Sequence, residues 1–371
     1  MDEIYLDNAA ATPLHPEVLK IYMAAEQKFW GNCSNTTHSY GRASKQALET
    51  ARQRVGDLLG LSPKGIIFTS GATEANNLAL RGISCLQKQD CALIVSSIEH
   101  ACIEESTKFI LNRGIKVLKI KTLPNGLIDV DHLESLARHS NASLISVMLV
   151  NNETGVVQPL KKISDIATRY NMLLHTDAVQ AVGKIPLNVL KYVDMASFSG
   201  HKFNAPKGVG CLWIRPDLKV SPLLVGGGQE FGIRSGTTAV PLIVAFARAL
   251  EIAVKDTSWI NPISKAMKHM EDQLKKIPKV IINGSDAPRN GVISNISFPY
   301  EKLVIRNLRG VAASTASACG CASATPSKVL LSMGLPASYA RNTLRISAGR
   351  FTKPNDILLA TQRIISAVKT L

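Results

Sequence analysis

Between residues 66 and 214 the chain alternates short apolar runs with stretches of helical period, and this constrains the fold more than any other feature. Strand-type runs fall at 66–68, 92–95, 117–120, 144–150, 172–175, 194–198 and 209–214. Helical patterns separate most of them, around Ile103, Leu133 and Ile163. An amphipathic stretch at 44–59 precedes them, with apolar residues at Ala47, Leu48, Ala51, Val55, Leu58 and Leu59. Such alternation predicts an α/β fold: a mostly parallel sheet covered by helices on both faces. At 371 residues and 46% hydrophobic content the chain is long enough for more than one domain. The pattern changes near 258–262, where a smaller C-terminal α/β domain is expected, with strands near Val280, Ile293 and Val311.

In sheets of this kind ligands gather beyond the carboxyl ends of the strands, and the polar residues cluster there. Ser199-Gly-His-Lys202 interrupts two apolar runs. Its lysine is either a solvated loop residue or a partly desolvated amine suited to an aldehyde cofactor. Thr69-Ser-Gly-Ala-Thr-Glu74 joins a strand to a helix start, where backbone N–H groups and the helix dipole favour a phosphate, although Thr-Glu is also ordinary capping. Glu99-His100, Asn151-Asn-Glu153, Asp177 and Gln180 follow other strands. Singly, His100 reads as a structural histidine and Asp177 as a helix cap. Together with Lys202, these strand ends are poorly explained as independent caps. A second glycine-rich loop, Gly226 to Thr237, leads into an apolar helix and again suits a phosphate. Arg345 lies inside an apolar strand, where an arginine pairs with a carboxylate or clamps one on a ligand. The run around Cys319 is almost all small residues, a plain loop or a setting for a nucleophilic thiol.

Composition removes several classes. No apolar run approaches the length of a membrane span, and the acidic start, Met1-Asp-Glu, points to a cytoplasmic protein. Seven scattered cysteines argue against a disulfide framework. The Cys319-Gly-Cys321 pair lacks the further ligands a zinc site needs, so no metal is expected. The formal charge of +15 comes from basic residues spread along the chain without a nucleic-acid motif, so direct nucleic-acid binding has no motif behind it.

These motifs resemble those of the cysteine desulfurases, enzymes of the class-V aminotransferase group with the fold type I architecture of pyridoxal 5'-phosphate transferases. The match extends from Tyr5-Leu-Asp-Asn-Ala-Ala-Ala-Thr-Pro13 to Arg345-Ile-Ser-Ala-Gly-Arg-Phe351. Its most specific pieces are Thr69-Ser-Gly-Ala-Thr-Glu74, Val150-Asn-Asn-Glu-Thr-Gly155, His175-Thr-Asp-Ala-Val-Gln180, Ser199-Gly-His-Lys202 and Ser317-Ala-Cys319. The expected division is a large cofactor-binding domain at 15–257 and a small domain made of 1–14 and 258–371.

The resemblance implies pyridoxal phosphate bonded to Lys202, with Asp177 on the pyridinium nitrogen and His100 stacked on the ring. It places Gln180 and Asn152 at the 3-oxygen or the substrate, and Ala72, Thr73, Ser199 and His201 on the phosphate. Thr237 would reach across from the second subunit of a homodimer, and Arg345 would take the substrate carboxylate. L-cysteine would become L-alanine, its sulfur held as a persulfide on Cys319 in the flexible-loop branch of the family. A sulfur-acceptor protein would follow, serving iron–sulfur clusters, tRNA thiolation or DNA phosphorothioation. Two residues depart from the family pattern: Cys33, where proline is common, and Cys321, a second thiol beside the nucleophile. Alternatives are a selenocysteine lyase or another class-V aminotransferase or lyase, and a catalytically dead nucleic-acid-binding or scaffold protein on the same fold.

Overall fold

The computed structural model describes residues 3–83, 91–300, 304–315 and 325–370. The chain opens on a two-residue strand, β1 (Ile4–Tyr5), followed by helices α1 (Pro16–Lys28) and α2 (Ser39–Leu59). Pro16 occupies the first turn of α1, where its missing N–H costs nothing. Helix α2 starts five residues earlier than the apolar pattern suggests, because the His38 ring accepts from the Gly41 N–H and caps it. It stops at Gly60, whose φ of +68° and the Leu61 N–H to Gly56 carbonyl bond close the last turn.

Seven strands form the main sheet: β2 (Ile66–Thr69), β3 (Ala92–Ser96), β4 (Lys116–Ile120), β5 (Ala142–Ser146), β6 (Leu173–Asp177), β7 (Met195–Ser199) and β8 (Gly210–Ile214). Their spatial order is β2-β8-β7-β6-β5-β3-β4. All neighbours are parallel except β8, which runs antiparallel to both β2 and β7. Every residue of β2, β3, β7 and β8 is buried, as expected for strands covered on both faces. The apolar run after residue 144 outlasts β5: the Val147 and Leu149 N–H groups still bond the His175 and Asp177 carbonyls. Since β2 and β7 both oppose β8, the carboxyl ends of β2, β3, β5, β6 and β7 all lie along one edge. Helix α3 (Ala72–Gly82) leaves the end of β2, and α4 (Ala101–Leu111) starts just beyond β3.

Three antiparallel strands, β9 (Ile281–Asn283), β10 (Ile293–Ser297) and β12 (Thr343–Ser347), form a second sheet in the order β12-β10-β9. A short β11 (Val311–Ala312) pairs with β1. Among the described residues three apolar cores result, one of which packs α3 and α4 on the main sheet through Ile67, Leu78, Leu93, Val95, Ile103 and Leu212. Another packs the main sheet against α1, α2 and the helix Val240–Lys255. The third joins Leu6 and Ala9 to the helices Ile260–Leu274 and Pro354–Lys369 and the small sheet. Val329, Leu330, Met333 and Ala340 belong to the second of these cores although they follow residue 258. The N-terminal segment is stitched between distant strands. The Leu6 N–H bonds Ala312, the Ser347 N–H bonds Leu6, and the Asn8 N–H bonds Ser347. Cys33 is a buried free thiol. Among the described residues no helix is long and apolar enough to cross a membrane, and no cluster suits a metal ion.

Candidate active site

A cavity of 740 Å³ opens at the shared carboxyl edge of the main sheet. Ala72, Thr73, His100, Asn152, Asp177, Gln180, Ser199, His201, Lys202 and Arg345 all line it. Thr237 is exposed and does not. Cys319 lies outside the described residues, as do Ser317 and Cys321.

One wall is built for an anion. Gly71 sits at φ 156°, ψ −178°, a conformation essentially confined to glycine, and α3 begins there with no side chain capping its first N–H groups. Beyond it, a Cβ on Gly210 would meet the Phe198 carbonyl oxygen at 2.4 Å and the Gly71 Cα at 2.7 Å, so only glycine lets β8 approach the turn. Ser199 Oγ and His201 Nδ1 lie 3.1 Å apart at the end of β7. Burial, then the Lys202 and Lys207 charges, draw His201 down to about 4, leaving its ring neutral near neutral pH. The loop carrying Thr237 is tethered to this wall: Arg234 Nε donates to Glu74 Oε1 at 2.8 Å.

Lys202 ends a single 3₁₀ turn, Gly200–Lys202, and its Nζ donates to the carbonyls of Ala9 (2.7 Å) and Ala10 (2.6 Å). Ala9's carbonyl also accepts from Gln180 Nε2 (2.9 Å), and Gln180 Oε1 accepts from Lys184 Nζ (2.7 Å). Lys184 is buried, and that burial, then the Lys202 charge, lowers it to about 7. Asp177 is buried, with its oxygens accepting from Asn76 Nδ2 (2.7 Å) and the Val179 N–H (3.0 Å), and it makes no ion pair among the described residues.

His100 caps α4, its Nδ1 accepting from the Cys102 N–H at 3.2 Å and lying 3.0 Å from Cys102 Sγ. Burial, then the Asp177 charge, pushes the Cys102 thiol up to about 12, so it stays protonated. Glu99 is raised to about 8 by burial, although Ser96 Oγ and the Met148 N–H both donate to it. Burial likewise raises Glu153 to about 7 while Ser327 Oγ donates to it at 2.5 Å. Arg345, 1% exposed, donates from Nη2 to Asp7 Oδ1 (2.8 Å) and from Nη1 to the Asn152 carbonyl (3.2 Å).

Sequence reasoning missed Asn76, Lys184, Cys102 and the Asp7 contact. Asn76 is one helical turn beyond Ala72 and shares the buried face of α3 with Ala75 and Ala79, the one signal that could have marked it. Asp7 stood inside a quoted motif, with nothing to say that it faces Arg345.

The chain belongs to the class-V aminotransferase family, whose model matches residues 4–359. A curated cysteine desulfurase from Rattus norvegicus is 40% identical over 377 residues, covering 99% of this chain and 83% of the relative. Among solved structures, a NifS-like protein superposes with a TM-score of 0.88 at 32% identity, covering all of both chains. SspA in complex with cysteine gives 0.81 at 34% identity, covering 94% of this chain and 99% of the other.

Proposed function

We infer that this chain is a pyridoxal-phosphate-dependent cysteine desulfurase that converts L-cysteine to L-alanine and passes the sulfur on through a persulfide. The observation that carries this is the convergence at one cavity of a lysine, a buried carboxylate, an uncapped helix start and a buried arginine, in a chain 40% identical to cysteine desulfurases.

The residues present fit the cofactor. Asp177 is a buried carboxylate that a pyridinium N–H would complete. The α3 start, Ala72, Thr73, Ser199 and His201 supply neutral donors for a phosphate. Lys202, His100, Gln180 and Asn152 line the same cavity, and the Asn152 carbonyl accepts from Arg345. When bound, pyridoxal phosphate supplies an electron sink that stabilises negative charge at a substrate α-carbon.

The protein's own groups do the rest. Arg345 binds the α-carboxylate and fixes the amino acid's orientation. Lys202 Nζ would take the α-proton and return one to carbon. Cys319 Sγ attacks the substrate sulfur: an S–S bond forms, the C–S bond breaks with its electron pair left on the substrate carbon, and protonation there gives L-alanine. We read residues 15–257 as the cofactor domain and 1–14 with 258–371 as the domain bearing Cys319. Thr237, exposed on a loop with Leu224, Val225 and Phe231, serves the phosphate of a second copy in a homodimer. The persulfide then goes to an acceptor protein.

The test is alanine and sulfide release from L-cysteine with dithiothreitol and no keto acid. Cys319→Ser should bind L-cysteine yet release almost no alanine, while Cys321→Ser retains most of the activity. Near-normal alanine release by Cys319→Ser would overturn the assignment.

A further inference from the structure

We propose that Asp7 is a positioning residue for amino-acid binding, holding the Arg345 guanidinium toward the cavity and tying it to Ser314. This rests on the reading that Arg345 takes the α-carboxylate. Arginine has five N–H donors and no acceptor. In Arg345 one Nη2 hydrogen goes to Asp7 Oδ1, one Nη1 hydrogen goes to the Asn152 carbonyl, and Nε is buried without a partner among the described residues. The two contacts fix the plane of the fork and leave donors for a ligand. Asp7 is the only carboxylate paired with it among the described residues. Without that carboxylate the guanidinium would be a buried cation held by one carbonyl, free to turn about its long side chain.

Asp7 is itself firmly placed, because residues on both sides of it are bonded to Ala312 and Ser347. The same Oδ1 accepts from Ser314 Oγ at 2.9 Å. Ser314 and Arg345 also exchange backbone bonds, with the Arg345 N–H donating to the Ser314 carbonyl at 2.7 Å. One carboxylate oxygen therefore joins the clamp to the strand end five residues before Cys319 in sequence. A ligand carboxylate that draws on Arg345 competes for the same charge that holds Ser314.

The experiment titrates the visible band of the holoenzyme with two amines that differ only in a carboxylate, L-alanine and ethylamine. Asp7→Ala should weaken L-alanine about tenfold and leave ethylamine within about twofold. Asp7→Asn keeps the acceptor oxygen without the charge and should fall between wild type and Asp7→Ala. It also carries the test if Asp7→Ala does not fold. Arg345→Gln should weaken L-alanine at least as much as Asp7→Ala. Unchanged L-alanine binding in the Asp7 variants beside a weakened Arg345→Gln would overturn the proposal and leave the clamp standing. Unchanged binding in Arg345→Gln would overturn both. Equal weakening of both amines by the Asp7 substitutions would assign Asp7 a purely structural part and also overturn the proposal.

Discussion

Replacing Lys184 by methionine should make the protein more stable at pH 7 and flatten its stability between pH 7 and 10. Lys184 is buried, its ammonium held by one neutral partner, Gln180 Oε1. Burial, then the Lys202 charge, lowers it from 10.5 to about 7, and each unit corresponds to about 1.4 kcal/mol against the charged form. The burden on the protonated fold is thus about 5 kcal/mol, less about 1–2 kcal/mol for the lost hydrogen bond to Gln180. Methionine matches the length and removes the charge, so a gain of about 2–4 kcal/mol is expected at pH 7. The sign with pH follows from proton counting. The folded pKa lies below the unfolded one, so in that window the unfolded chain binds more protons and wild-type stability rises with pH. Below about 7 both states are protonated and the burden is full. Urea unfolding of wild type and Lys184→Met at pH 7 and pH 10 measures this directly. The variant's advantage should be largest at pH 7 and shrink toward pH 10. A variant less stable than wild type at pH 7, or an advantage equal at both pH values, would refute the reasoning.

Borohydride reduction of the holoenzyme should fix the cofactor to Lys202. A reduced adduct on the Lys207 peptide would displace the assignment, and Lys202→Ala should abolish turnover. Glu230→Gln should destabilise the fold by about 3–5 kcal/mol in urea unfolding. It leaves the buried Arg52, which is bound through both Nη atoms at 2.8 and 2.9 Å, with only the half-exposed Glu49 as a charged partner, and weakens the bond from the Phe68 N–H. The same change should raise the monomer fraction in light scattering, because Glu230 and Phe231 hold positive φ angles, 48° and 59°, that this pairing sustains within the Thr237 loop. A fully active wild-type monomer would remove the homodimer from the reading.

The main sheet was legible because each buried strand is written as an apolar run that ends on polar residues, with Ser199-Gly-His-Lys202 the sharpest case. What the runs do not encode is who sits beside whom. The close approach of β8 to the Gly71 turn depends on glycine at 210, whose reason is the Phe198 carbonyl and the Gly71 backbone rather than anything beside it in sequence. The start of α2 lies ahead of its apolar pattern because His38 is an uncommon cap. Asp177 was visible as a strand-end carboxylate, but its Asn76 partner comes from a helix 101 residues away. Lys184 carries no signal in the sequence, since burial of a single charged side chain leaves no periodic trace. Ser327 and Glu153 show the same limit, joining across 174 residues.

The stitching of residues 4–9 between β11 and β12 bears on how the protein is made. Asp7 leaves the ribosome 338 residues before its partner Arg345. At 5–20 residues per second that is a wait of roughly 17–70 s. The seven strands of the main sheet are all synthesised before residue 215, so that sheet can close while the first residues still lack Ala312 and Ser347 to bond. The carbonyls of Ala9 and Ala10 that receive Lys202 Nζ lie in or beside this waiting stretch. Vectorial synthesis therefore completes the scaffold first and the reactive centre last, and a nascent chain stalled short of β12 would display the sheet without a finished site.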